Sequence, residues 1–209
     1  MTARSEFALG WKPLGAALIG VACGASPIPF NVLPLVLGPI HAEYGWDFAQ
    51  IAAGVTVFGI IASLLAPVYG GLADRFGVRP VALLSLLAFA IVFASFWAVP
   101  ASLTGWWGFW ALLGLVGIGS TPVTWSRAVS MWFNRNRGLA LGIMLLGTSL
   151  SALVVPRLAQ AAIAGFGWRA AFPATALLPL LVALPIALIW FREPRPEERP
   201  AGVQDRSGR

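Results

Sequence analysis

The sequence predicts an all-α integral membrane protein with six transmembrane helices. Hydrophobic residues make up 58% of its 209 residues and charged residues only 11%, whereas a soluble domain carries about 25% charged residues. The apolar residues form six long continuous runs, without the alternation of polar and apolar positions that membrane strands show. Basic residues lie mainly between the runs and at the C-terminus. Lipid is therefore the solvent expected for most of the chain.

Each of the six apolar runs reaches the roughly 20 residues that a helix needs to cross the hydrocarbon core. The first run is longer than the apolar region of a signal peptide, about 7–15 residues, and its prolines predict a bent helix. Residues 13–191 are thus predicted to form the transmembrane domain, between an N-terminal segment, 1–12, and a disordered tail or surface linker, 192–209. The run bounds are 13–40, 48–69, 80–99, 104–125, 138–166 and 172–191.

The distribution of charge predicts the orientation of the chain. Basic residues precede the first run, follow the sixth, and occupy the segments after the second and fourth runs. The opposite segments carry Arg169 and a predicted solvated loop with His41, Glu43 and Asp47. Cytoplasmic segments of membrane proteins carry an excess of Lys and Arg. We therefore expect a multi-pass protein of the plasma (inner) membrane with both termini in the cytoplasm.

Composition argues against several classes of function. The net charge is +6, but no basic stripe with interleaved aromatic residues is present, so we expect no nucleic-acid partner. The chain has one cysteine, Cys23, and one histidine, His41, which leaves neither an internal disulfide nor a cysteine–histidine metal site. A nucleophilic serine needs a base within hydrogen-bond reach, and His41 lies in a different segment from Ser120. We expect no enzyme, no catalytic residue, no metal and no cofactor.

The segment Gly70–Arg79, with the sequence GGLADRFGVR, is the most informative part of the chain. A charged, glycine-containing segment between two runs is predicted to be a short loop at a membrane face. Asp74 follows the predicted end of the second helix, where the helix dipole disfavours an anion. Asp74 therefore needs a cationic or N–H partner. Gly77 permits a tight turn, and Pro80 suits the first turn of the next helix.

This segment resembles the signature loop of the major facilitator superfamily, which also follows the second of six spans. The resemblance implies a gating latch that stabilises one face of a transporter in the closed state; the alternative is a purely topological, positive-inside role. Val78 stands where the family usually has a second basic residue. Arg127, Arg135 and Arg137 are the candidate partners on the same face. The residues that carry the resemblance are Gly70, Asp74, Arg75, Gly77 and Arg79.

Two further segments are similar to the monocarboxylate-porter-like, or oxalate/formate-antiporter-like, branch of that superfamily. One is Arg127–Gly142, RAVSMWFNRNRGLALG, which leads into the fifth run. The other is Glu43–Trp46, EYGW, before the second run. The segment Gly165–Arg169, GFGWR, before the sixth run is common in the wider superfamily.

The resemblance implies a secondary transporter of a small organic solute, with an organic anion as one option, that works by alternating access in the lipid bilayer. It implies the N-terminal six-helix half of the fold, built as two inverted three-helix repeats. Members usually have twelve spans, so the second wall of the path must come from elsewhere. Three arrangements stay open: a parallel homodimer, a separately encoded second half, or a truncated protein that is inactive or does not transport.

Four residues within the runs are candidates for the substrate path. Arg157 lies inside the fifth run, and an intramembrane charge is a functional candidate; the alternative is that its side chain extends toward the headgroups. Asn31, Ser120 and Thr124 are expected either to face a cavity or to form interhelical hydrogen bonds.

Overall fold

The computed structural model describes residues 3–194 and 198. Within these residues the chain is helical, and six helical stretches are long and apolar enough to cross a membrane. The predicted all-α class with six spans is therefore confirmed. We number the spans in chain order. Their bounds are Glu6–Tyr44, Phe48–Phe76, Val78–Ala98, Leu103–Trp132, Arg137–Phe166 and Trp168–Trp190.

The described spans contain nine α-helices, together with short 3₁₀ and π segments. The second and fifth spans are single α-helices, whereas the first, fourth and sixth are each divided. The α-helices are α1 (Ala3–Ala22), α2 (Pro27–Tyr44), α3 (Phe48–Phe76), α4 (Val78–Ser95), α5 (Leu103–Gly117), α6 (Pro122–Trp132), α7 (Arg137–Phe166), α8 (Ala171–Leu177) and α9 (Leu184–Trp190). The 3₁₀ segments are Phe96–Ala98, Ile118–Ser120 and Trp168–Ala170, and the π segment is Leu178–Ala183.

The first span bends at one break, residues 23–26, between α1 and α2. Pro27 and Pro29 lie in the first turn of α2, where a helix has no use for the N–H that proline lacks. They cannot donate to the carbonyls four residues earlier, which a continuous helix would require. Pro34 and Pro39 are accommodated inside α2.

The break in the fourth span lies against the break in the first. The backbone N–H of Ala25 donates to Ser120 Oγ over 3.1 Å, and Ser120 Oγ donates to the Gly117 carbonyl over 2.7 Å. A Cβ at Gly24 would lie 2.3 Å from the Ser120 carbonyl oxygen. Since hydrocarbon offers no water to a free backbone group, the side chain of one break supplies a hydrogen bond that the other break needs.

Two helices extend beyond their predicted ends. The segment Gly70–Phe76 was predicted to be a loop, but it forms the last two turns of α3, and only Gly77 separates α3 from α4. The fourth span likewise continues as α6, which places Arg127 on a helix. Hydropathy marks the hydrocarbon region, whereas backbone hydrogen bonds can continue a helix past it. Gly77 makes the turn with a φ of +89°, which L-residues rarely adopt.

Two clusters of buried side chains fill the bundle, one nearer each face. The cluster nearer Asp74 includes Trp125, Trp132 and Phe133. The other includes Phe96, whose ring stacks on that of Phe172 with centroids 5.0 Å apart. In contrast, α3 and α7 each expose a large apolar face. The exposed side chains include Ile60, Leu64, Val68 and Leu72 on α3, and Leu139, Leu146, Leu150 and Leu153 on α7.

The close contact between the breaks in the first and fourth spans, which we call the crossing, yields a stability prediction. In Gly24→Ala the new methyl group would meet backbone, which cannot rotate away as a side chain can. We expect the free energy of unfolding to fall by about 1–3 kcal/mol, the usual cost of overpacking. Gly38→Ala, in the same span, is the control, because no atom lies within 4 Å of a Cβ there. Thermal melting in detergent measures both variants; equal melting temperatures would contradict the role of the crossing.

Candidate functional site

An ion pair between Asp74 and Arg127 lies at the centre of the candidate site. Asp74 is in the last turn of α3, and Arg127 is on α6, in the second half of the fourth span. Arg127 Nη2 lies 2.6 Å from Asp74 Oδ1, and its Nη1 donates to the Gly70 carbonyl over 3.2 Å. One guanidinium thus joins two turns of α3 to the fourth span. We call the end of the bundle that carries this pair the Asp74 face.

The exposure of this pair decides what it contributes. The side chains of Arg127 and Asp74 are 41% and 70% exposed. An exposed ion pair contributes only about 0–1 kcal/mol, because water competes for both charges. The contact therefore adds little to stability, and it can break and re-form at low cost.

The second part of the signature segment is held by Glu193, which follows the sixth span. Glu193 Oε1 accepts hydrogen bonds from the backbone N–H groups of Val78, over 2.7 Å, and Arg79, over 3.2 Å. A carboxylate at a helix N-terminus satisfies free donors and complements the dipole of α4. A Cβ at Gly77 would lie 2.9 Å from the same oxygen. Gly77 is therefore required by its φ and by its neighbour.

The other basic residues of the site point elsewhere. Arg79 Nη2 donates to the Leu188 carbonyl over 2.8 Å, which ties the start of α4 to α9. The Arg75 guanidinium is exposed and lies 5.3 Å from the centre of the Phe76 ring. Both are thus placed around Asp74 without the direct contact that Arg127 makes.

Glu6 organises the segment between α6 and α7. Its carboxylate accepts hydrogen bonds from the backbone N–H groups of Asn134, Arg135 and Asn136, over 3.2, 3.0 and 3.1 Å. The Asn136 side chain adds a fourth, over 3.1 Å. Glu6 is 3% exposed, and it is the only charged residue among the buried ones that the structure describes. The backbone of Arg135 is therefore bound to α1, and exposed Arg137 begins α7.

The two ends of the described chain lie at the Asp74 face. The Trp132 indole N–H donates to the Arg192 carbonyl over 3.1 Å, and the Arg192 guanidinium lies 4.8 Å from the Trp132 ring centre. Glu198, whose carboxylate accepts hydrogen bonds from Arg192, raises the pKa of that guanidinium. The start of the predicted tail is thus held against the fourth span. Residues 195–197 and 199–209 of that tail lie outside the described part of the chain.

Sequence reasoning missed both Glu6 and Glu193. Glu6 was assigned to the N-terminal segment 1–12, although α1 begins at Ala3, and Glu193 was assigned to the tail. Each contact spans more than 100 residues along the chain, so no local pattern could reveal it. The available signal was an acidic residue close to each of the first and last runs, at the face predicted to be basic.

The candidates for the substrate path fall into two groups. Asn31 is partly exposed and Arg157 is exposed, and each donates to a carbonyl four residues earlier in its own helix. Ser120 and Thr124 are 0% and 6% exposed. Ser120 makes the hydrogen bond between spans that was one of its predicted alternatives. Only Asn31 and Arg157 thus have surface available to a solute in this conformation.

Comparison with known proteins matches the family model of the Major Facilitator Superfamily to residues 15–207. A galacturonate transporter of Dickeya chrysanthemi is 25% identical over 194 residues, which cover 91% of this chain and 54% of the relative. A hexuronate transporter of Escherichia coli (strain K12) is 23% identical, with 91% and 43% covered. Monocarboxylate transporter 11 of Mus musculus is 30% identical, with 78% and 36% covered. The alignments thus span between 36% and 54% of the length of these relatives.

The cap on α4 can be tested without any substrate. Glu193→Ala removes the acceptor from the N–H groups of Val78 and Arg79, and loss of such a cap costs about 0.5–2 kcal/mol. We expect faster hydrogen–deuterium exchange in the peptide that covers the start of α4, with the centre of α7 unchanged. Glu193→Gln keeps an acceptor oxygen and should show a smaller increase. Identical exchange in Glu193→Ala and the parent protein would contradict this cap.

Proposed function

Because the chain belongs to the Major Facilitator Superfamily, we propose that it forms six helices of a secondary transporter for a small organic solute, working by alternating access. The family match over residues 15–207 and the six candidate spans support this proposal. The observation that carries it is the Asp74–Arg127 ion pair within the signature segment. The Asp74 face is the cytoplasmic face in this proposal, because the basic segments are concentrated there.

The proposed mechanism uses the difference between a weak and a strong contact at the Asp74 face. The Asp74–Arg127 pair is exposed and is the element that opens. The start of α4 stays fixed, because Glu193 and Arg79 bind it to the end of the sixth span. When the ion pair separates, α6 and the end of α3 are free to move apart while α4 keeps its place. Asp74 thereby acts as a latch rather than as a topological signal.

The proposed substrate class is a small organic anion. Two of the relatives are named for the transport of galacturonate and hexuronate, both of which are organic acids. Arg157 supports the same class, because its exposed guanidinium lies within the fifth span. An intramembrane cation on an exposed helix face is well suited to a carboxylate.

A second six-helix unit would complete the path. The apolar faces of α3 and α7 are exposed in the described chain, and alternating access in this superfamily takes place between two six-helix halves. We propose that a second six-helix unit, such as a second copy of the chain, covers these faces. A second candidate function is a six-helix membrane protein that does not transport.

Cross-linking in native membranes tests the second unit. In a Cys23→Ser background, Gly71→Cys places a thiol on the exposed face of α3, where no atom lies within 4 Å of a Cβ. We expect oxidation to give a band at twice the mass if a second copy brings its own Gly71→Cys thiol to this face. The parent protein is the control, because Cys23 is buried. A band that stays at the mass of the single chain would contradict two copies that meet at this face.

Uptake of radiolabelled galacturonate by cells that express the chain tests both the transport function and the latch. We expect uptake above that of cells without the chain. Asp74→Asn should lower the initial rate by up to about fivefold, the equivalent of the roughly 1 kcal/mol in an exposed ion pair, with an unchanged amount in the membrane.

Asp47→Asn is the matched control for this uptake experiment. Asp47 caps α3 at the opposite end from Asp74, so the substitution removes one negative charge without touching the ion pair. Equal rates for the parent protein and Asp74→Asn would remove the latch. No uptake by the parent protein, of galacturonate or of other small carboxylates, would favour the second candidate function.

A further inference from the structure

A cluster of charged and aromatic side chains joins two spans at the face opposite Asp74. Glu43 was predicted to lie in a solvated loop, but it is in the last turn of α2. Glu43 Oε1 lies 2.9 Å from Arg169 Nη1, and the Trp168 indole N–H donates to Glu43 Oε2 over 2.6 Å. The outer end of the first span is therefore bound to the start of the sixth.

Aromatic rings surround the guanidinium of this cluster. The centre of the Arg169 guanidinium lies 4.4 Å from the centre of the Trp168 ring and 5.7 Å from that of Tyr44. Arg169 also donates a hydrogen bond to the Tyr44 hydroxyl. The Tyr44 ring stacks on Trp46 with centroids 4.6 Å apart. Moving Arg169 away would break its ion pair with a carboxylate and its contacts with two aromatic rings at the same time. We call Glu43, Tyr44, Trp46, Trp168 and Arg169 the clasp.

A backbone turn at a glycine lies within each of the two segments that form the clasp. Gly45 ends α2 with a φ of +68°, and Gly167 ends α7 with a φ of +83°. Both values lie in the region that favours glycine. Gly45 belongs to the segment EYGW and Gly167 to the segment GFGWR. Neither segment takes part in the contacts at the Asp74 face. In the clasp the two segments contact each other.

The position of the clasp matters because α2 is separated from α1 by the break at residues 23–26. Buried side chains along α2 pack it into the bundle, and a fixed far end would hold it further. The clasp supplies that fixed end. Between the break and the clasp, α2 presents a surface of exposed or partly exposed residues, which includes Phe30, Asn31, Pro34 and Gly38.

We propose that Glu43 and Arg169 are positioning residues for the transport path at this face. By holding the outer end of α2 against the corner of the fifth and sixth spans, they make this face open and close through movement of the whole six-helix unit. Swinging of α2 about its break is thereby suppressed. The inference rests on the proposed transport function, since it assigns the exposed face of α2 to the path.

Cysteine labelling at two matched depths tests the clasp. In a Cys23→Ser background, Gly38→Cys reports on α2 and Gly142→Cys reports on α7 near the Asp74 face. Both glycines are exposed, and no atom lies within 4 Å of a Cβ at either. Gly38 is six residues from the end of α2 and Gly142 five from the start of α7, depths of about 9 and 7.5 Å. The probe is a membrane-impermeant maleimide, applied separately from each side of membrane vesicles.

Glu43→Gln should raise the labelling rate at the Gly38→Cys site severalfold and leave that at the Gly142→Cys site unchanged. Arg169→Lys should act in the same direction, because an ammonium keeps the charge but cannot stack as a planar guanidinium does. Asp47→Asn is the control: it removes a negative charge at the same face, from a residue that caps α3 instead of joining the clasp.

Two results would overturn the inference. One is an unchanged labelling rate at the Gly38→Cys site in Glu43→Gln. The other is a rise at both sites together with less protein in the membrane, which indicates general destabilisation. Labelling needs no substrate, so a chain that fails to transport can still show the clasp. If uptake slows in Asp74→Asn but the labelling rate at the Gly38→Cys site is unchanged in Glu43→Gln, the proposed role of the clasp is contradicted and the transport function is not.

Discussion

A helix that breaks within a membrane must find its missing hydrogen bonds inside the protein, and in this chain the fourth span supplies one to the break in the first. Ser120 accepts a hydrogen bond from the backbone N–H of Ala25, and Gly24 allows the two spans to approach closely. The crossing divides each span into two half-helices. One of them, α6, carries Arg127 to the Asp74 face, and another, α2, carries Glu43 to the opposite face. The charged contacts at both faces thus depend on the same crossing.

The acid–arginine contacts at the two faces have different surroundings. At the Asp74 face the ion pair is largely exposed, whereas the helix starts beside it are held by Glu6 and Glu193. At the other face Arg169 is held by Glu43 and by two aromatic rings. We propose from this difference that the contact at the Asp74 face moves and the contact at the opposite face stays fixed. The unit then has one latch, at the Asp74 face, and one brace, at the opposite face.

The sequence predicted the six spans, the bend in the first, and the need of Asp74 for a cation, with Arg127 among the candidates. Composition and helix electrostatics are local properties, and these predictions depend on nothing else. The predicted ends of the second and fourth spans were wrong, because hydropathy reports the hydrocarbon boundary and not the end of the hydrogen-bonded helix. Glu6, Glu193 and the partner of Glu43 could not be predicted, since each contact joins residues more than 100 positions apart.

The most direct measurement of the central claim is a double-mutant cycle on the initial rate of uptake. It compares Asp74→Asn, Arg127→Gln and the double variant at equal amounts in the membrane. If the Asp74–Arg127 contact is the latch, each single substitution removes the same interaction, and the double variant is no slower than the slower single variant. Rates that fall by the product of the two single effects would show that the two residues act independently, and would contradict the latch.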